Sequence, residues 1–201
     1  MMHRIFYQQH IMNQKETKKL LLEQLYEPYK KCLACPLGYL GRTLVVFGEG
    51  NPDAQLMFIG EAPGKEEDAQ GRPFIGRSGK LLTQILTSLG IDRKEVFITS
   101  SVKCRPPKNR KPTILETTTC KDILLINQIN IIQPTVICTL GSVALETLFG
   151  KPVKMNETRG KQLIFNSIIV IPTYHPAYIL RNPKMATILK HDIATAYSLC
   201  K

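Results

Sequence analysis

Short apolar runs alternate with helical patterns along the whole chain, and that alternation narrows the fold more than any other feature. Residues 55–60, 96–102 and 135–140 carry the β-branched and bulky residues of buried strands. Residues 162–165 and 168–171 read as a hairpin or a bent strand pair, and 44–48 as a further strand set off by an Asn51-Pro52-Asp53 turn. Helices lie between them. Leu81, Leu82, Ile85, Leu86 and Leu89 share one helical face that ends at Gly90. Thr113 and Glu116 form a capping-box pair before a helix that stops near Pro134. Residues 142–149 and 186–199 continue the pattern, and 14–31 places Leu21, Leu22 and Leu25 at helical spacing. The alternation implies an α/β architecture with a mainly parallel sheet. A length of 201 residues suits a single domain over 1–201, with 1–30 as an N-terminal helical extension.

Parallel sheets gather their chemistry at the carboxyl ends of strands. Three punctuated loops, 61–76, the segment from Cys104 to Pro107, and 172–183, each follow a strand here. Hydrophobic residues make up 43% and charged residues 21%, a globular composition with no apolar stretch of membrane-spanning length. The first residues, Met1 to Phe6, lack the apolar core of a signal peptide, and six cysteines then suggest a reducing, cytoplasmic setting. The net charge of +11 favours a polyanionic partner. Its distribution is uneven: Lys103, Arg105, Lys108, Arg110 and Lys111 run without an acid between them, as do Arg181, Lys184 and Lys190. Acids collect instead at Glu61, Glu66, Glu67 and Asp68. A basic face around an acidic pocket suits an enzyme acting on nucleic acid.

The loop that begins Gly60-Glu61-Ala62-Pro63-Gly64 and closes on Phe74-Ile75-Gly76 is rich in glycine, which lets backbone approach a ligand closely. A Walker phosphate loop is excluded, because Lys80 is followed by Leu81 and Phe74 stands where its upstream glycine is required. Phe74 suits stacking on a nucleobase or, equally, burial in the core. His175, in Tyr174-His175-Pro176-Ala177, suits donation to a developing negative charge, although a lone histidine is more often structural. His3, His10 and His191 fall in terminal stretches and carry no expected role. Cys32 and Cys35 form a C-x2-C pair, and Cys104 and Cys120 form a second, wider one. Four thiolates suit zinc or an iron–sulfur cluster, and four unrelated core cysteines are the plain alternative. Cys138 and Cys200 read as structural or incidental.

Taken together, GEAPGKEEDAQGRPFIGRSGKLL, VKCRPPKNRKP, the C-x2-C before PLG and the HPA of TYHPA resemble the family 4, or thermophile-type, uracil-DNA glycosylases, in their order and approximate spacing over about residues 30–200. The resemblance implies a three-layer sandwich with a central four-stranded parallel sheet, and a [4Fe-4S] cluster on Cys32, Cys35, Cys104 and Cys120. It implies a monomer that excises uracil from single- or double-stranded DNA. Glu61, Glu67 and His175 would be catalytic, and Gly60, Ala62, Phe74, Ser100 and Asn109 would surround the base. The five basic residues from Lys103 to Lys111 would face DNA, together with Leu180 and Arg181 at the wedge that follows HPA. One departure is evident. The family usually has Asn where this chain has Ser100, and a hydroxyl offers less than an amide for reading a base edge. Hypoxanthine or xanthine as the substrate base, or a non-catalytic DNA-binding module, are the alternatives that this departure raises.

Overall fold

The computed structural model describes residues 13–200, so the expectations for Met1 to Phe6, His3 and His10 lie outside the described residues. Among these, one sheet holds strands β1 Glu49–Gly50, β2 Leu56–Gly60, β3 Phe97–Ser100, β4 Val136–Leu140, β5 Leu163–Phe165 and β6 Ile168–Thr173, in the order β1-β3-β2-β4-β6-β5. The inner four run parallel, with Phe58 level with Ile98 on one side and Cys138 on the other, and Cys138 level with Ile171. The expected four-stranded parallel sheet is therefore present, and the short strands β1 and β5 extend it as antiparallel edges.

The helices are α1 Gln14–Tyr26, α2 Lys65–Gln70, α3 Arg77–Ser88, α4 Ile114–Cys120, α5 Ile126–Ile132, α6 Ser142–Phe149, α7 Met155–Thr158, α8 Pro176–Arg181 and α9 Ala186–Ser198. Successive strand side chains point to opposite faces. Met57 and Ile59 accordingly pack with Leu22, Ile129 and Leu145 of α1, α5 and α6, whereas Leu56 and Phe58 pack with Leu82, Leu86 and Ile193 of α3 and α9. Both faces of β2 and β4 are covered, which is why their sequences are apolar throughout rather than alternating. No helix among the described residues is long and apolar enough to cross a membrane.

Several elements differ from expectation. Residues 44–48 are extended but form no ladder; only Val46 N–H reaches across, to the Lys103 carbonyl at 2.7 Å, and pairing starts at Glu49. The loop 61–76 contains α2, whose polar sequence has no apolar face for periodicity to detect. Residues 172–183 are not one loop: β6 continues to Thr173 and α8 begins at Pro176. Proline at a first helical position satisfies both helix and loop patterns, and here the helix prevails. The helix after Thr113 is capped as its sequence indicates, then passes through a π turn over Lys121–Leu125.

Candidate active site

The chain leaves β2 toward β3 and later returns to lay β4 on β2's other side, so a crevice opens at the carboxyl ends of these strands. A cavity of about 610 Å³ occupies it. Glu61 and Ala62 follow β2, Ser100 ends β3, and His175 follows β6, so the parallel strands deliver these residues to one place. Phe74, Glu67, Asn109, Arg110, Tyr178 and Arg181 complete the walls.

Phe74 is held in the left-handed region at φ 50°, a conformation that costs a non-glycine residue about 1 kcal/mol. Two glycines make its position possible. A Cβ on Gly60 would fall 2.4 Å from the Phe74 ring, and one on Gly79 would fall 1.8 Å from the Phe74 carbonyl oxygen. The ring is only 7% exposed, yet it lines the cavity 5.7 Å from the His175 ring. Burial and an edge on the cavity are thus combined in one side chain. Arg93 fastens the preceding residue, donating to the Pro73 carbonyl at 2.7 Å while pairing with Glu49.

The two glutamates differ. The Glu67 carboxylate accepts from the N–H groups of Ile75 (3.0 Å) and Gly76 (2.8 Å) through Oε1, and from Gly64 (3.1 Å) through Oε2. Both its oxygens accept loop N–H groups, so Glu67 fixes Phe74's neighbours while it also borders the cavity. The Glu61 carboxylate accepts no hydrogen bond from any donor among the described residues, while its main-chain carbonyl accepts the Val102 N–H at 3.3 Å. Burial raises its pKa, with Glu146 adding and Lys111 opposing.

His175 caps α8. Its Nδ1 accepts the Ala177 N–H at 3.1 Å, so Nδ1 carries no proton in that arrangement. Burial lowers its pKa to about 4, with Arg181 adding and Glu67 opposing. The ring is therefore neutral near pH 7, and its proton resides on Nε2, the remaining donor.

The basic run is divided between interior and surface. Lys103, expected at the DNA face, is wholly buried: Nζ donates to Thr99 Oγ1 (2.5 Å) and to the Ser100 carbonyl (2.6 Å). Val102-Lys103 continues straight from β3 into the interior, and no charge pattern discloses that. Arg110 pairs with Glu116 at 2.7 Å and Lys111 with Glu146 at 2.9 Å, while Arg105 bonds Asn109 at 2.8 Å and Lys108 is exposed. On α8, Leu180 is exposed at 37% beside Arg181, and Ile179 is buried.

Cys32, Cys35, Cys104 and Cys120 line a single apolar pocket with Leu37, Val45 and Lys103. Among the described residues no three or more His, Cys, Asp or Glu form a group suited to one metal ion. A tetrathiolate zinc site requires every sulfur about 2.3 Å from one point. The four thiols border one pocket and are the residues there that could hold a metal group. Burial pushes the Cys104 thiol up to about 12 and the Cys120 thiol up to about 11, opposed by Arg42 and Lys103 respectively. Arg42 donates to the Cys32 carbonyl at 2.5 Å, yet its buried Nε has no protein acceptor. An unmatched donor beside thiols fits an anionic group there. No pattern in the sequence points to Arg42, Gly79 or Tyr178 as part of either site.

A family model described as the uracil DNA glycosylase superfamily matches residues 47–196. The chain is 48% identical to the type-4 uracil-DNA glycosylase of Thermotoga maritima, over 92% of this chain and 97% of that one. It is 46% identical to the type-4 uracil-DNA glycosylase of Sulfurisphaera tokodaii, over 85% of this chain and 81% of the relative. It is 44% identical to that of Saccharolobus solfataricus, over 85% and 82%.

Proposed function

The chain belongs to the uracil-DNA glycosylase superfamily, and from that premise we propose that it is a base-excision repair enzyme that hydrolyses the N-glycosidic bond of uracil flipped out of DNA. The observation that carries this is the state of His175: a backbone N–H occupies Nδ1, so a neutral ring presents a proton on Nε2 beside the cavity. As the bond from N1 to the sugar breaks, its electron pair passes to the base, and the Nε2–H group meets the negative charge that develops there. The sugar carbon becomes cationic and takes a water molecule. Glu61, whose carboxylate has no protein partner among the described residues, orients that water and receives its proton. The base departs as its anion and takes up the proton that Glu61 then releases, leaving an abasic sugar in the DNA. Phe74 stacks on the base, and Ser100, 3% exposed at the end of β3, meets its edge with Gly60, Ala62 and Asn109.

Cys32, Cys35, Cys104 and Cys120 are the ligands we assign to a [4Fe-4S] cluster, which when bound crosslinks the 32–35 and 104–120 segments and takes no part in the bond cleavage. Arg105, Lys108 and Arg181 would contact phosphates, and Leu180 would wedge into the vacated stack. None of the six cysteines forms a disulfide, in keeping with the reducing, cytoplasmic setting we propose for this enzyme, which we take to act as a monomer.

The test is base release from oligonucleotides holding uracil, hypoxanthine or xanthine, single-stranded and opposite each base. We expect uracil release from the native chain, lowered about 10²–10³-fold by His175→Ala and about 10²–10⁴-fold by Glu61→Gln. Failure of iron-loaded protein to release uracil from any strand would overturn the assignment.

A further inference from the structure

Lys103 stands where two sites meet. It lines the four-thiol pocket, and three residues earlier Ser100 lines the base cavity. Its ammonium has no solvent exposure and closes the gap between them by donating to the Ser100 carbonyl at 2.6 Å and to Thr99 Oγ1 at 2.5 Å. The surroundings hold each partner in turn. Thr99 Oγ1 donates to the Phe47 carbonyl at 2.9 Å, and Gln128 Nε2 donates to the same oxygen at 2.8 Å. The Lys103 carbonyl accepts from Val46 N–H at 2.7 Å. A buried ammonium is costly unless charge or hydrogen bonds compensate it. No carboxylate among the described residues pairs with Lys103, and Cys104 and Cys120 border the same pocket as this residue. The residue therefore lies between the four-thiol pocket on one side and the end of β3 on the other.

We infer that Lys103 is a positioning residue that ties the Ser100 backbone, and with it the hydroxyl facing the base, to the wall of the four-thiol pocket, so that filling that pocket and reading the base are coupled. This rests on the base-cavity reading above. Lys103 touches neither substrate nor DNA; it acts through Ser100. Removing its donors should loosen the end of β3, while Glu61 and His175 stay where other elements hold them.

The test compares Lys103→Met, which keeps length and removes the donors, with Lys103→Gln, which keeps an N–H donor, and with Thr99→Val, which removes one acceptor and leaves Lys103 in place. Secondary structure, iron per chain, the rate of iron release to a chelator, and kcat and KM on uracil DNA are measured for each. Loss of a hydrogen bond to a charged group weakens an interaction about 10–100-fold. The expected result for iron-loaded Lys103→Met is a rise in KM of that order with a smaller change in kcat, a partial return in Lys103→Gln, and a smaller defect in Thr99→Val. Iron release should be faster in Lys103→Met and Thr99→Val than in the native chain. A Lys103→Met protein with full iron and native KM overturns the proposal, as does activity that falls only in proportion to iron lost. Should Lys103→Met fail to fold, Thr99→Val with native KM and native iron release overturns it equally. Native protein that releases no uracil defeats the functional assignment instead, and the iron-release rates then still decide whether Lys103 serves the thiol pocket.

Discussion

At the residue scale, His175 couples chemistry to stability through one nitrogen. Its folded pKa lies near 4, lowered first by burial, whereas an unfolded chain takes up the proton near 6.5. Between those values the unfolded state binds the extra proton, so acid favours unfolding. Stability is complete above pH 6.5 and falls as pH drops toward 4. The loss from this residue amounts to at most about 3 kcal/mol. Thermal unfolding from pH 7 to 4 should show a shallower decline for His175→Gln than for the native chain. An equal decline would mean that the ring is not held neutral. Glu61 sets a different pH limit. Its raised pKa means that the ionised form needed to orient water is lost on acidification earlier than for an ordinary glutamate, and Lys111 opposes that rise. In Lys111→Gln the acid limb of kcat should therefore move to higher pH, and a limb that stays in place would remove Glu61 from the titration.

At the element scale, the β2–α3 connection is built by mutual constraint. Glu67 gathers the N–H groups of Gly64, Ile75 and Gly76, and Phe74 is pressed between Gly60 and Gly79. In Glu67→Gln an amide NH₂ would face N–H groups that need an acceptor. Each orphaned N–H costs about 1–3 kcal/mol, so the expected result is a loss of a few kcal/mol in urea unfolding and a fall in kcat/KM. Native stability in that variant would show that the clamp contributes nothing. The strands and the long helices were legible because β-branched runs and apolar periodicity report burial directly. The clamp was not, since α2 has no apolar face and Glu67 reads as one more acid in a charged loop. The residues of α8 read as a loop for a different reason: Pro176 punctuates both patterns, and only the His175 cap distinguishes them.

At the scale of the whole molecule, the net charge of +11 overstates what DNA can meet. Lys103 is interior, Arg72 and Arg93 both bind Glu49, Arg159 binds Asp192, and Arg110 and Lys111 are held by Glu116 and Glu146. Sequence alone counts charges without their partners, which is why five residues between Lys103 and Lys111 read as one basic face. Arg105, Lys108 and Arg181 pair with no carboxylate among the described residues; Arg181 lines the cavity, and Arg105 and Lys108 neighbour its lining residues Pro106 and Asn109. Each phosphate neutralised releases counterions and adds a slope of about −0.9 to log K against log salt on duplex DNA. Binding of an uncleaved duplex between about 50 and 200 mM salt should therefore lose close to one phosphate's slope in Arg105→Gln, in Lys108→Gln and in Arg181→Gln. Lys103→Met should leave the slope native even where its KM has risen, because an ammonium sealed beneath β3 releases no counterion. A slope lowered by Lys103→Met would return that residue to the DNA face, against its complete burial.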